Sequence, residues 1–173
     1  MSSDKPSQNA QTHPTRGLVD PELLALLDMI PTATLSDALL PTLRQPGRFP
    51  FQPANDQGQA VKLEKKAVPG PEGAPDVPIL IYAPPETRAP RSCILHIHGG
   101  GYVIGDAASH EPVHRNMAAK LDCVILTVDY RLAPETRFPG AIEDCYAALA
   151  WLFANADTLN VDTQRIGVMG ESA

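Results

Sequence analysis

Three short apolar runs, SCILHIHG at 92–99, CVILTVDY at 123–130 and RIGVMGES at 165–172, alternate with two segments of helical periodicity at 110–122 and 139–156. That alternation constrains the fold more than any other feature of the chain. Aliphatic and β-branched runs with few polar interruptions suit strands buried on both faces, and a sheet is buried on both faces where helices cover it from both sides. Two earlier runs, AVKLEKKAVPG at 60–70 and VPILIYAP at 77–84, are separated only by PGPEGAPD, a loop dense in proline and glycine. With no helix between them they are predicted as an antiparallel lead-in. The fold class is therefore α/β: a mostly parallel sheet with helices on both faces.

Each helix carries its own signals. In the 110–122 segment Ser109 is the predicted N-cap, and Val113, Met117, Ala118 and Leu121 form the inner face. Pro139 opens the 139–156 helix, whose apolar stripe reads Ile142, Cys145, Leu149 and Leu152. Nearer the N-terminus, Asp20 caps a helix that starts at Pro21, repeats Leu23, Leu26, Leu27 and Ile30 at helical spacing, and stops at Pro31. A second short helix is predicted from Ser36 or Asp37 through Gln45, bent or broken at Pro41. Residues 1–17 are polar and are expected to be a disordered tail. Residues 45–58 read as loop.

Composition removes several classes of function. The net charge of −6, with Lys and Arg scattered, does not suit nucleic acid or an anionic membrane surface. No apolar run approaches the roughly 20 residues that cross a bilayer, and the N-terminus has no apolar leader, so a cytoplasmic location is expected by default. The cysteines, Cys93, Cys123 and Cys145, form no metal-type pair and are expected as buried free thiols. His110 and His114, four residues apart on a helix, have a spacing that could ligate metal, but no third ligand or carboxylate motif accompanies them.

Sheets of this kind carry their chemistry at the carboxyl ends of the strands. Two loops fall there. His98-Gly99-Gly100-Gly101 follows a buried strand, and three consecutive glycines cost conformational entropy unless the backbone must approach something closely. Amides of such a loop can point at one spot and stabilise a developing oxyanion. A flexible linker is the bland alternative. A phosphate cradle is another, but the loop lacks both the Lys-Ser/Thr pair and the G-x-G-x-x-G spacing. The second loop is Gly170-Glu171-Ser172-Ala173, where a strand runs into Gly-x-Ser. That is the context of a nucleophile elbow: Gly170 leaves room for the turn, Ser172 projects its hydroxyl, and the Ala173 N–H is a further oxyanion donor. A nucleophile and an oxyanion loop on strand ends make one acyl-transfer site.

With these motifs, HGGG at 98–101, DYRLAPE at 129–135, FPGAIEDC at 138–145 and GESA at 170–173, the chain resembles the hormone-sensitive-lipase-like (bacterial family IV) esterases of the α/β-hydrolase fold across residues 18–173. The resemblance implies a serine carboxylesterase acting on small-molecule esters with short or medium acyl chains, without metal or cofactor. Ser172 is then the nucleophile, and Gly100, Gly101 and Ala173 are the oxyanion donors. His98 and Gly99 organise the loop, and Asp129, Tyr130, Arg131, Glu135 and Asp144 brace it from behind. Residues 18–58 look like part of a helical cap, and residues 59–173 like the N-terminal half of the catalytic domain. In this fold the triad acid and base follow the serine, whereas all five histidines here, at 13, 96, 98, 110 and 114, precede it. The expectation is a chain truncated after the elbow and inactive alone, with its last strand an exposed edge. A non-catalytic ligand-binding member of the same fold, or a structural remnant, is the alternative. Amidase or deacetylase chemistry fits the same site.

Overall fold

The computed structural model describes residues 14–29, 35–45, 60–85 and 89–172, so Ile30, Pro31 and Ala173 lie outside the described residues. The chain divides into two compact units, residues 1–36 and 37–173. In the first, Arg16–Leu18 form a single 3-10 turn across the end of the segment expected as a polar tail, and α1 spans Pro21–Met29. Asp20 Oδ1 accepts the Glu22 N–H at 2.9 Å, satisfying one of the amide donors left open at a helix start. Arg16 reaches along the helix to Asp28 at 2.8 Å. None of the α1 residues is buried.

The second unit begins with α2, Leu40–Leu43. The longer helix expected from Ser36 or Asp37 to Gln45 is not formed, because Pro41 occupies the first turn, where its missing N–H costs nothing, and so starts the helix rather than bending it. The sheet follows: β1 is Lys62–Val68, β2 Val77–Ala83, β3 Arg91–Ile97, β4 Val124–Val128 and β5 Val161–Gly170, in the order β1-β2-β4-β3-β5. β2 runs antiparallel to both of its neighbours, β1 and β4, while β3 is parallel to both β4 and β5. The sheet is thus mixed, and the expected parallel character is confined to β4, β3 and β5. The reason lies in the connections. Among the described residues only α3, Glu111–Leu121, and α4, Gly140–Ala154, are crossover helices of the kind that join parallel strands.

Alternation along the strands divides the core in two. Ile79, Ile81, Cys93, Leu95, Val124, Leu126 and Val128 pack with Cys145, Ala148 and Leu152 of α4. Leu80, Tyr82 and Ile125 face the other way and pack with Ala118 of α3. Full burial of an aliphatic side chain contributes about 1.5–3 kcal/mol, so β2 and β4, the latter buried at every position, are the heavily stabilised strands at the centre of the core.

Most of each expected inner face is borne out, with Cys145, Leu149 and Leu152 of α4 and Met117 and Ala118 of α3 packed on the core, but each helix departs from it at particular positions. On α4 the buried row is Gly140, Asp144, Cys145, Ala148 and Leu152, whereas Ile142 is 48% exposed. The inward position is taken by Asp144, which holds Arg131. On α3 the buried residues are His114 and Ala118, and Leu121 is 60% exposed. Ser109 does not cap α3. Its N–H and hydroxyl both donate to the Asp106 carboxylate, at 2.7 and 2.8 Å, and that carboxylate also accepts the Ala108 N–H. All three cysteines are free and buried, and burial pushes the Cys93 and Cys145 thiols up to about 12. No helix among the described residues is long and apolar enough to cross a membrane.

Candidate active site

The carboxyl ends of β3, β4 and β5 lie side by side, and the residues singled out from the motifs converge there. β5 ends at Gly170, paired with Ile97 of β3, and the chain then turns through Glu171 to Ser172, whose φ is +50°. A non-glycine residue in the left-handed region is uncommon and carries strain of order 1–3 kcal/mol, which the surrounding structure must hold. The loop after β3 supplies part of that hold. The N–H groups of Gly100 and Gly101 both donate to the Ser172 carbonyl oxygen, at 3.1 and 3.3 Å. The two amides therefore aim at one point beside Ser172, as donors to a single oxyanion must. In this structure the oxygen at that point is the chain's own carbonyl. The third expected donor, Ala173, lies outside the described residues.

Two glycines of this loop, Gly99 and Gly100, are required by space. A Cβ on Gly99 would stand 2.5 Å from the Glu171 carbonyl oxygen and 3.0 Å from the Ser172 Cβ. Gly100 has φ +124°, and a Cβ there would run into the Ile104 carbonyl. Behind them His98 is buried, with Nδ1 3.0 Å from the Gly99 carbonyl, so Nδ1 carries the proton and donates. Its ring stacks on Tyr130 at 4.1 Å and 10°, and the Tyr130 hydroxyl donates to the His98 carbonyl at 2.7 Å. Burial pushes the His98 pKa below its ordinary value, outweighing the Gly99 hydrogen bond, and keeps the ring neutral.

The polar set after β4 forms two separate braces. Asp129 accepts the Ala107 N–H at 3.0 Å, tying the end of β4 to the segment beyond the glycines. Arg131 forks onto Asp144, with Nη2 to Oδ1 at 2.7 Å and Nε to Oδ2 at 2.8 Å, and its backbone N–H adds a third bond at 3.0 Å. Asp144 is 1% exposed, so this pair locks the loop onto α4 from within the core. Glu135 lies at the surface, where Arg44 donates to it at 2.8 and 3.1 Å and holds its carboxyl below the usual range. Arg44 also donates through Nε to the Val103 carbonyl at 2.8 Å. Sequence reasoning missed Arg44, because nothing local to residues 37–45 marks an arginine that reaches two loops far along the chain.

It also missed Glu171, which appears only as the variable position of Gly-x-Ser. The Glu171 carboxylate is 2.9 Å from His96 Nε2 and 3.1 Å from His110 Nε2. His96 lies within β3. It is buried, but its Nδ1 lies 3.1 Å from the Thr127 hydroxyl. His114 stands edge-on to His96 at 4.3 Å and 66°, and burial pushes it down to about 3. The His110 and His114 rings are 5.9 Å apart, and among the described residues no group of three or more potential ligands is placed to hold a metal ion. A cavity of about 460 Å³ lies nearby along the ends of β2 and β4, lined by Arg44, Asp76, Asp106, Asp129, Arg131 and Leu132 among others.

Residues 94–173 match the family model described as the alpha/beta hydrolase fold. The chain is 36% identical over 165 residues to the carboxylesterase NlhH of Mycobacterium tuberculosis, covering 94% of this chain and 51% of that protein. It is 43% identical over 98 residues to the hormone-sensitive lipase of Mus musculus, covering 56% of this chain and 13% of the lipase. Among solved structures, a bacterial heroin esterase superposes with a TM-score of 0.72 at 38% identity, covering 90% of this chain and 49% of that one. The chain thus spans about half the length of the relatives that it matches along most of its own length. With its mixed sheet, its HGGG and GESA loops on adjacent strand ends, and these relatives, the chain has the α/β-hydrolase fold and is similar, over about half of their length, to esterases of the hormone-sensitive-lipase-like family.

Proposed function

We propose that this site performs carboxylic ester hydrolysis through an acyl-enzyme on Ser172. The Ser172 Oγ attacks the ester carbonyl carbon as a general base takes its proton. The oxyanion that forms collects N–H bonds from Gly100, Gly101 and Ala173, the alcohol leaves with the transferred proton, and water then releases the carboxylic acid and restores the serine. The observation that carries this reading is the aim of the Gly100 and Gly101 amides at a single oxygen beside a serine held at φ +50°. Esters with short or medium acyl chains are the proposed substrates, on the strength of the carboxylesterase and heroin esterase likenesses.

The described histidines do not supply the base in this proposal. His98 spends its Nδ1 proton on Gly99, and the Nε2 atoms of His96 and His110 face Glu171. The chain by itself is then close to inactive, and a small external base should rescue it. Imidazole added to the chain should raise hydrolysis of p-nitrophenyl acetate, and Ser172→Ala should abolish that increase after the imidazole-only rate is subtracted. Equal imidazole-dependent rates for the two proteins would sink the proposal. One observation favours a second reading, a non-catalytic ligand-binding member: the loop amides already have an acceptor in the Ser172 carbonyl.

A further inference from the structure

The turn at Ser172 is held on one side by backbone. The Ser172 carbonyl accepts from Gly100 and Gly101, and the Gly99 backbone is packed so closely that a Cβ there would lie 2.5 Å from the Glu171 carbonyl oxygen. On its other side the turn is held by a side chain. The Glu171 carboxylate receives one imidazole from β3, His96, and one from the turn before α3, His110, at 2.9 and 3.1 Å. We propose that Glu171 is the positioning residue of the Ser172 turn: gripped by His96 and His110, it fixes the left-handed backbone at Ser172 and with it the alignment of Ser172 against the Gly100 and Gly101 amides.

The grip has a defined proton arrangement. Thr127 and His96 are both buried, and the Thr127 hydroxyl is 3.1 Å from His96 Nδ1. A hydroxyl donating to Nδ1 leaves the ring proton on Nε2, where it points at Glu171; the bond made by one imidazole nitrogen sets the tautomer at the other. Burial holds the His96 pKa below its ordinary value against the opposing pull of Glu171, so the ring is a neutral donor to the Glu171 side chain. His114 then fixes the plane of that ring. It is buried, edge-on to His96 at 4.3 Å and tilted against Tyr82 at 5.2 Å, which leaves His96 little freedom to turn away. Glu171 is the exposed end of a chain of contacts whose inner members, Thr127, His96 and His114, are rooted in the core. The nucleophile turn therefore takes its register from the core through one acid, although the strand that carries it is largely exposed.

The functional meaning of this positioning rests on the reading of Ser172 as nucleophile, but its structural content does not. The test uses the full 173-residue chain, labelled with 15N, and its Glu171→Ala and Glu171→Gln variants. Long-range proton–nitrogen spectra of the imidazoles should show His96 protonated on Nε2 in the parent chain. Glu171→Ala should move the His96 and His110 ring nitrogens and, with them, the backbone amides of Gly100 and Gly101. Glu171→Gln retains one acceptor oxygen and should give smaller changes in the same direction. His110→Ala should likewise move the Gly100 and Gly101 amides, and it keeps the proposal testable if Glu171→Ala does not fold. Ring nitrogens that shift while the glycine amides stay fixed would show an ion pair without a positioning role, and unmoved ring nitrogens would show no grip; either overturns the proposal. Labelling of Ser172 by a fluorophosphonate separates the two questions. Where labelling occurs, Glu171→Ala should slow it by roughly a hundredfold, the cost of a misplacement of about 1 Å, and an unchanged rate overturns the proposal. Amides that shift in chains that are never labelled uphold the positioning and remove the esterase reading instead.

Discussion

β4 and β5 both end at the site, yet they are held in opposite ways. β4 lies between β2 and β3, is buried at all five positions, and delivers Asp129–Glu135 from the centre of the sheet. β5 has only β3 as a neighbour among the described residues, is mostly exposed, and delivers Gly170–Ser172 from the edge. Apolar burial fixes the first. The second is fixed by directed polar contacts: two glycine amides on a carbonyl, and two imidazoles on a carboxylate. The proposed nucleophile thus sits on the less buried strand, and its geometry depends on hydrogen bonds made by neighbours that are themselves in the core.

The largest expected effect comes from the β4 side. Leu126, fully buried, should cost about 2–5 kcal/mol as Leu126→Ala, read from the urea midpoint at unchanged slope. A loss below 1 kcal/mol would remove the contrast between the strands. Next is the brace behind β4. Asp144→Ala strips Arg131 of its forked partner inside the core and should cost on the order of 3 kcal/mol, less if water reaches the guanidinium. Arg131→Lys, which keeps the charge but loses the fork, should fall between.

A smaller and graded effect is expected with pH. His96, His98 and His114 all have folded pKa values below the ordinary 6.5, with burial the largest cause. The unfolded chain then binds more protons than the native one below that value, so stability is complete above about 6.5 and falls as the solution becomes more acid. For His114 the loss continues down to about 3. Each such histidine can remove up to about 1.4 kcal/mol per pH unit within its window. Denaturation midpoints measured from pH 7 to 4 should decline, and His114→Gln should flatten the decline; a midpoint independent of pH would show that these rings are not buried neutral in solution. The smallest effect belongs to the edge. Val168 is 60% exposed on β5, and Val168→Thr should stay within about 0.5 kcal/mol of the parent by the same assay.

Local signals in the sequence determined a good deal. The period of the apolar residues marked the five strands and the two long helices, because burial on one face or two leaves a pattern within ten residues of chain. The glycine run and the Gly-x-Ser turn marked where backbone crowds backbone, since Gly99 and Gly100 leave no room for a Cβ there. Tertiary structure alone decided the rest. That β4 inserts between β2 and β3, and that β2 opposes β4 as well as β1, follows from which surfaces pack and not from any local pattern. The burial of His114 on α3 and Asp144 on α4 was hidden because both read as polar, yet each becomes an inner residue once Tyr82 and His96, or Arg131, is there to meet it. Glu171 was illegible for the same reason: a carboxylate in a motif's variable position acquires a role only when a strand and a distant turn bring two imidazoles to it. Period and backbone sterics act between neighbours in the chain, whereas the partner of a buried polar group is chosen by the fold.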